Sequence, residues 1–412
     1  MHNLIMNGKT PSFNFLQKHS KIALGYFLFI AFLGVLLRFF SIVDFPINYR
    51  FIVHTHSHIA LLGWAYTALT TLIFKIYLSK TNIYIKYKWL FWATQLTLIG
   101  MLVTFPFTGY ALFSIVFSTL FLIASYVFAN LVFKYTPIAY KQTNSYKCIR
   151  IALWYMIISS IGPWALGIIM KTAGSGSDLY RNAIYFYLHF QYNGWFILAL
   201  FGIFFYILEK HEIILPKKTF QSFFWLINSG VILTFGISLL WMKPNILVFI
   251  VSGVGALFQL VAFYILLKEL RSFKQQLNNF FTKFYFQLLK IVTFLFVIKL
   301  IFQIMGSTPY FANAISSNVD LIIGYLHWTF LGVVSIALLL FLHQFKLIKL
   351  SKKSILVYLI GFILTEIFIF YKGIVVWTDI TLTDNYFVYL VIASCVLLIG
   401  IFNIFLNQFK RE

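Results

Sequence analysis

Twelve apolar runs, each long enough to cross a bilayer, leave this chain few folds to choose from. A helix needs about 20 largely apolar residues to span hydrocarbon. Such runs fall at 22–42, 56–78, 88–108, 110–134, 150–171, 182–207, 220–242, 245–267, 284–305, 319–345, 353–375 and 386–409. Lipid offers no partner to a backbone amide, so each run must satisfy its own peptide groups, which predicts helices and an all-α polytopic membrane protein. The balance of 61% hydrophobic and 10% charged residues is outside the range of soluble domains. The connections are short, so one transmembrane domain over 1–412 is expected. No internal repeat or low-complexity tract stands out. Met1 to Lys21 is polar and the run after it is long, which predicts a spanning helix rather than a cleavable signal.

The net charge of +22 would suit a nucleic-acid partner if it formed a basic face. Instead the cations sit in alternate loops. One set holds Lys9, Lys18 and Lys21; Lys80, Lys86 and Lys88; Lys134, Lys141, Lys147 and Arg150; Lys210, Lys217 and Lys218. It continues through Lys268, Arg271, Lys274 and Lys283, then Lys346, Lys349, Lys352 and Lys353, and ends at Lys410 and Arg411. The intervening loops mix Arg50, Lys171, Arg181, Lys243 and Lys372 with Asp44, Asp178, Asp320, Asp379 and Asp384. Positive loops stay in the cytoplasm. The expectation is an even number of spans, both termini cytoplasmic, in a bacterial-type cytoplasmic (inner) membrane, with the lipid bilayer and not nucleic acid as the partner. Cys148 and Cys395 stand alone, with no CxxC or CxxCH pattern. They build neither a disulfide framework nor a covalent c-type haem site.

Histidine is costly in hydrocarbon unless a metal, a proton path or a polar cavity satisfies it. His54, His56 and His58 open the second run, His189 lies in the sixth and His327 in the tenth. All three runs enter from the outer face in this topology. At 1.5 Å per residue, His189 and His327 lie about 10–12 Å below the outer ends of their helices. His58 reaches a similar depth if its helix starts a turn early, near Phe51. His2, His19, His211 and His343 fall on the cytoplasmic side and read as solvated or interfacial. Facing helices that each present an imidazole at one depth could ligate a haem. A copper or zinc site would need three or four converging ligands. His54 and His58 share a helix face while His56 turns aside. The three-span set is equally open to hydrogen-bonded core histidines or a proton path. Gly63, Gly194, Gly324 and Gly332 in the same runs would allow close packing.

Glu366 and Lys299 are the charges deepest inside runs. They could form a proton relay or a structural pair with each other. The polar stretch Tyr185, Tyr187, His189, Gln191, Tyr192, Asn193 suggests a hydrogen-bonded cavity. Trp89, Trp92, Trp154, Trp164 and Trp241 read as interface anchors and packing. Arg38 and Arg50 could meet haem propionates or snorkel to the interface.

Twelve spans with histidines in the second, sixth and tenth resemble subunit I of the haem–copper oxidase superfamily, including its nitric-oxide-reductase branch. The stretch His56-Ser-His58-Ile-Ala-Leu-Leu-Gly63 also resembles the H-x-H-x(4)-G motif of the NnrS family, haem- and copper-containing membrane proteins linked to nitric oxide stress. The resemblance implies an oxidase-like bundle with His58, or next His56, as a low-spin haem ligand. It implies His189 as a copper ligand and His327 as a haem ligand, where the oxidases carry an H-x-H pair. Tyr192 stands at the offset of the oxidase tyrosine. The seventh run, Phe220 to Met242, lacks the adjacent copper-binding histidines of the oxidases. A complete haem–copper centre, oxygen reduction to water and proton pumping are therefore not expected.

Three readings follow. The first is a protein holding b-type haem through His58 and His327, with His189 as a distal or metal ligand, His54 or His56 in support and copper as an optional second metal. It would serve respiratory electron transfer or nitric oxide and oxygen handling, with a cytochrome or quinol donor or other respiratory-chain subunits as partners, and Glu366 and Tyr192 on a proton path. The second is a proton- or metal-coupled transporter. The third is an assembly partner without cofactors. The topology is tested by reporter fusions. A cytoplasm-active reporter should work after Tyr140 and after Gln276 and fail after Ser175.

Overall fold

The computed structural model describes residues 13–410; His2, Lys9 and Arg411 lie outside them. All regular structure among the described residues is helical. Twelve helices are long and apolar enough to cross a membrane. They run Asn14–Phe39, Tyr49–Leu78, Tyr84–Thr108, Leu112–Tyr135, Asn144–Thr172, Asp178–Lys210, Lys217–Met242, Ile246–Ser272, Lys283–Gly306, Val319–Gln344, Lys352–Thr378 and Tyr386–Leu406. Three short helices add to them: Ile138–Lys141, Lys274–Phe280 and Pro309–Ser316. The chain groups into two compact units. One comprises the chain up to Thr143, Phe341–Gly361 and the chain from Val391; the other comprises Asn144–Leu340 and Phe362–Leu390.

Most spans turn one face outward, and that face is apolar. Trp89, Phe107, Leu112, Ile168, Leu247 and Phe294 are all exposed. Apolar surface on this scale belongs against lipid chains. The second and sixth spans differ: 89% of the apolar window of each is buried. The tenth follows at 67%, against 33% to 44% in the other nine. The three spans that carry intramembrane histidines are thus the three inner ones.

Each of these spans begins at a polar cap. Asn48 Oδ1 accepts the amides of Arg50 (3.0 Å) and Phe51 (3.3 Å). Ser177 Oγ accepts that of Tyr180 at 3.3 Å. Asn318 Oδ1 accepts those of Asp320 (3.1 Å) and Leu321 (3.3 Å). Caps of this type satisfy amides that the first turn leaves unpaired. Asn48 sets the second helix going at Tyr49, seven residues before the apolar run begins, so His54, His56 and His58 all lie on the helix.

The same three spans share a second irregularity. The regular α-helix ends on a histidine: Tyr49–His58, Asp178–His189 and Val319–His327. A π-helical segment follows at once: Ile59–Tyr66, Phe190–Phe196 and Trp328–Ser335. Wide i→i+5 turns are rare and gather at functional positions. The sequence at all three sites reads H-x(4)-G-x(4)-A-L: His58, Gly63, Ala68, Leu69; His189, Gly194, Ala199, Leu200; His327, Gly332, Ala337, Leu338. The chain therefore does contain an internal repeat, with a period of four spans. It escapes a search for long similarity because only four positions in each copy are shared.

The repeated glycine has a steric reason. A Cβ on Gly63 would lie 2.9 Å from Tyr26 of the preceding span, and one on Gly194 would lie 2.5 Å from Tyr155 of its preceding span. On Gly332 the neighbours are Leu295 of the preceding span at 3.3 Å and Phe362 at 2.8 Å. The inner helix meets its predecessor at a point with no room for a methyl group. Gly194→Ala should drive Tyr155 out of place and cost about 1–3 kcal/mol, as overpacked cores do. The measurement is a lower thermal unfolding midpoint of the purified protein in detergent, partly restored by Tyr155→Leu.

Candidate functional site

In the first unit the histidine cluster divides as helical geometry requires. His54 and His58 face Tyr110, with ring centroids 4.7 Å and 5.6 Å away. His56 turns to the first span, where its Cε1 lies 3.3 Å from the place a Cβ on Gly34 would take. His56 Nδ1 is buried without a hydrogen-bond partner among the described residues. The His58 ring is held at both ends. Its Nδ1 lies 2.8 Å from the His54 carbonyl, and its Nε2 lies 3.1 Å from the Tyr110 hydroxyl. A carbonyl only accepts, so Nδ1 carries the proton and Nε2 is the basic nitrogen. Phe105 packs against the ring at 4.5 Å.

His19 belongs to this unit too, and its expected place is corrected. It is fully buried rather than solvated. Its ring stacks on Phe91 at 3.3 Å, and Nδ1 lies 3.4 Å from the Tyr87 hydroxyl. His211 is exposed and packs on Phe280. His343 is half-buried, with Nδ1 3.3 Å from the Ile348 carbonyl.

The second unit holds His189, His327, Lys299 and Glu366. The expected pairing of Glu366 with Lys299 is not formed. Glu366 is buried and lies 3.7 Å from His327 Nδ1. Lys299 is fully buried and donates from Nζ to Gln303 Oε1 at 3.0 Å, its i+4 neighbour. The carboxylate thus lies on the Nδ1 side of the His327 ring, at a distance longer than a hydrogen bond.

His189 is committed differently. Its Nε2 donates to the Val231 carbonyl at 2.8 Å. Its Nδ1 accepts from Asn193 Nδ2 at 3.2 Å, and Asn193 Oδ1 accepts from Gln303 Nε2 at 3.4 Å. A single line of hydrogen bonds thus runs from Lys299 through Gln303, Asn193 and His189 to the seventh span. Both ring nitrogens of His189 are spent inside it. Gln191 extends the polar set by donating to Ser159 at 3.0 Å.

Beside this line lies a cavity of about 380 Å³, within the range of small-molecule sites. His189, Tyr192, Asn193, Gln303 and Tyr325 line one end. Arg181 and Trp241 line the other, with the guanidinium 4.1 Å over the indole. Trp241, expected at an interface, is therefore a cavity wall; Trp89 and Trp164 are exposed on the outer faces as expected.

Within each unit, the described residues bring together no group of three or more His, Cys, Asp or Glu side chains. A three-nitrogen copper centre is not fitted by these donors. Taken singly, His58 has a carbonyl acceptor at Nδ1, and His327 has the Glu366 carboxylate 3.7 Å from Nδ1. Gln303 and Tyr110 are the partners that sequence reasoning passed over. The i, i+4 spacing of Lys299 and Gln303 inside an apolar run was the signal for the first.

No protein-family model matches this chain, and no curated protein matches it.

The buried amide line can be tested apart from any cofactor. Asn193→Leu should strand His189 Nδ1 and Gln303 Nε2 at once. A loss of about 1–3 kcal/mol per stranded group is expected. It would be read as a lower denaturation midpoint, with Asn193→Asp less damaging because it keeps an acceptor toward Gln303.

Proposed function

We propose that this protein binds b-type haem in the bilayer, with His58 the candidate axial ligand of the first unit and His327 that of the second, and is a divergent relative of oxidase subunit I. One observation carries the reading. His58 Nδ1 donates to the His54 carbonyl at 2.8 Å, and the Glu366 carboxylate lies on the Nδ1 side of His327 at 3.7 Å, longer than a hydrogen bond. That arrangement favours the tautomer whose Nε2 can donate its lone pair to iron. A haem held there supplies a reversible one-electron couple and an iron that binds small gases.

The remaining roles follow from the residues themselves. Glu366 lies beside the His327 ring, where it would orient it. Tyr110 holds His58 in its rotamer until a ligand replaces the hydroxyl. His189 is a structural hub rather than a metal ligand. Electron transfer, or binding of nitric oxide or oxygen, is the function this supports; water formation at a copper centre is not. The location we propose is the cytoplasmic membrane of a bacterial-type cell, with both termini inside and respiratory-chain subunits as partners.

A second reading has one observation in its favour. Lys299 is a buried cation in line with a cavity, which also suits a proton-coupled transporter. The two readings separate in one preparation. Protein purified from haem-replete cells should show a Soret band that shifts on reduction and a b-type pyridine haemochrome. His58→Ala and His327→Ala should each abolish the band, while His189→Ala should retain it if it folds. A colourless, iron-free preparation with substrate-dependent flux in proteoliposomes would replace the haem reading with the transporter.

A further inference from the structure

The cavity in the second unit has an ordered chemistry at its inner end. Lys299 donates to Gln303 Oε1, Gln303 Nε2 to Asn193 Oδ1, Asn193 Nδ2 to His189 Nδ1, and His189 Nε2 to the Val231 carbonyl. Every bond in this line points the same way, because the lysine at its head can only donate. The one acceptor of the imidazole is therefore taken, and each amide oxygen already accepts one bond. Donors also remain. Each amide nitrogen has a second N–H. The Tyr192 hydroxyl lines the same end and makes no hydrogen bond among the described residues.

The walls are of the opposite character. Phe302, Phe370, Leu326, Ile322 and Tyr325 are among the lining residues. A charged ligand would lose its hydration against them, and the one charged side chain of the lining, Arg181, is stacked on Trp241. Depth matters as well. Arg181 at the mouth and Asn193 at the floor lie on one helix, twelve residues and about 18 Å apart. The ninth span stops at Gly306, and the short helix Pro309–Ser316 supplies the wall above it through Ala312 and Ala314.

We infer that this cavity binds an uncharged flat ring bearing carbonyl oxygens, the quinone class, with a carbonyl seated on the Tyr192, Asn193 and Gln303 donors. A ligand that only donates would leave the Tyr192 hydroxyl hydrogen and the second N–H of Asn193 unmatched. A pure hydrocarbon would leave three donors unmatched in an apolar space. An aromatic-walled slot with one donor-rich end selects a ring that accepts hydrogen bonds at its edge. The site stands independently of haem ligation, since it uses neither His58 nor His327.

The test is calorimetric titration of the full chain in detergent with tetramethylbenzoquinone. Tetramethylbenzene, the same ring without the oxygens, serves as the competitor. Saturable one-site binding is expected, and the hydrocarbon should not displace it. Tyr192→Phe removes one donor and should weaken binding about five- to tenfold. Ala314→Trp should fill the cavity and abolish binding; Ala312→Phe replaces it if that variant does not fold. No saturable binding, binding unchanged in Tyr192→Phe or in the filled variant, or equal displacement by the hydrocarbon would overturn the inference. So would a haem found in the cavity and expelled by the filling substitution. Loss of the Soret band in His58→Ala with quinone binding retained would separate this site from the haem reading.

Discussion

Hydrocarbon returns no hydrogen bond, so every polar group drawn into it must find its partner within the protein. That demand organises the second, sixth and tenth spans. Each carries an imidazole and each is mostly buried: His58 bonds a backbone carbonyl and Tyr110, His189 bonds Val231 and Asn193, and His327 lies 3.7 Å from Glu366. The other nine spans present apolar faces outward and turn their few buried polar groups, Lys299 and Glu366 among them, inward. Division of labour between polar inner helices and greasy outer ones is what lets a chain with so few charges still hold an organised interior.

The three histidines are placed alike but employed differently. Two have an oxygen behind Nδ1 and one has both nitrogens drawn into a hydrogen-bond line. His189 joins an amide network headed by Lys299, whereas His58 and His327 stand outside it.

Much of this was legible from residue order alone. The twelve spans follow from hydropathy because lipid admits no irregular backbone, and the structure moves their ends by a few residues. The start of the second span moves by seven residues, from 56 to Tyr49, because Asn48 caps a helix whose first turns are polar. Hydropathy cannot see such a turn; capping chemistry can. The facing of His54 with His58, and the turning aside of His56, needed only helical periodicity. Partners across spans were harder. Glu366 and Lys299 invite pairing by opposite charge, yet each found a different neighbour. Which residues face one another depends on rotations between helices that no single span encodes. His19 was misjudged for a related reason: its place near a chain end suggested water, whereas Phe91 and Tyr87 cover it. The four-position repeat was readable all along, but only the shared π turns show which positions to compare.

Those wide turns carry a further meaning. A π segment is an α-helix with one residue too many, absorbed without breaking the rod. In all three inner spans the surplus sits immediately after the imidazole, between the part that bears it and the part that packs deeper. Removing a single residue there would let the helix relax to its ordinary pitch and keep every apolar contact of one half. The other half would rotate by about 100°, the angle of one helical step. The ring would then point at a different neighbour. The direction in which each histidine looks is thus governed by a length, counted in whole residues, and not by the chemistry of any side chain around it.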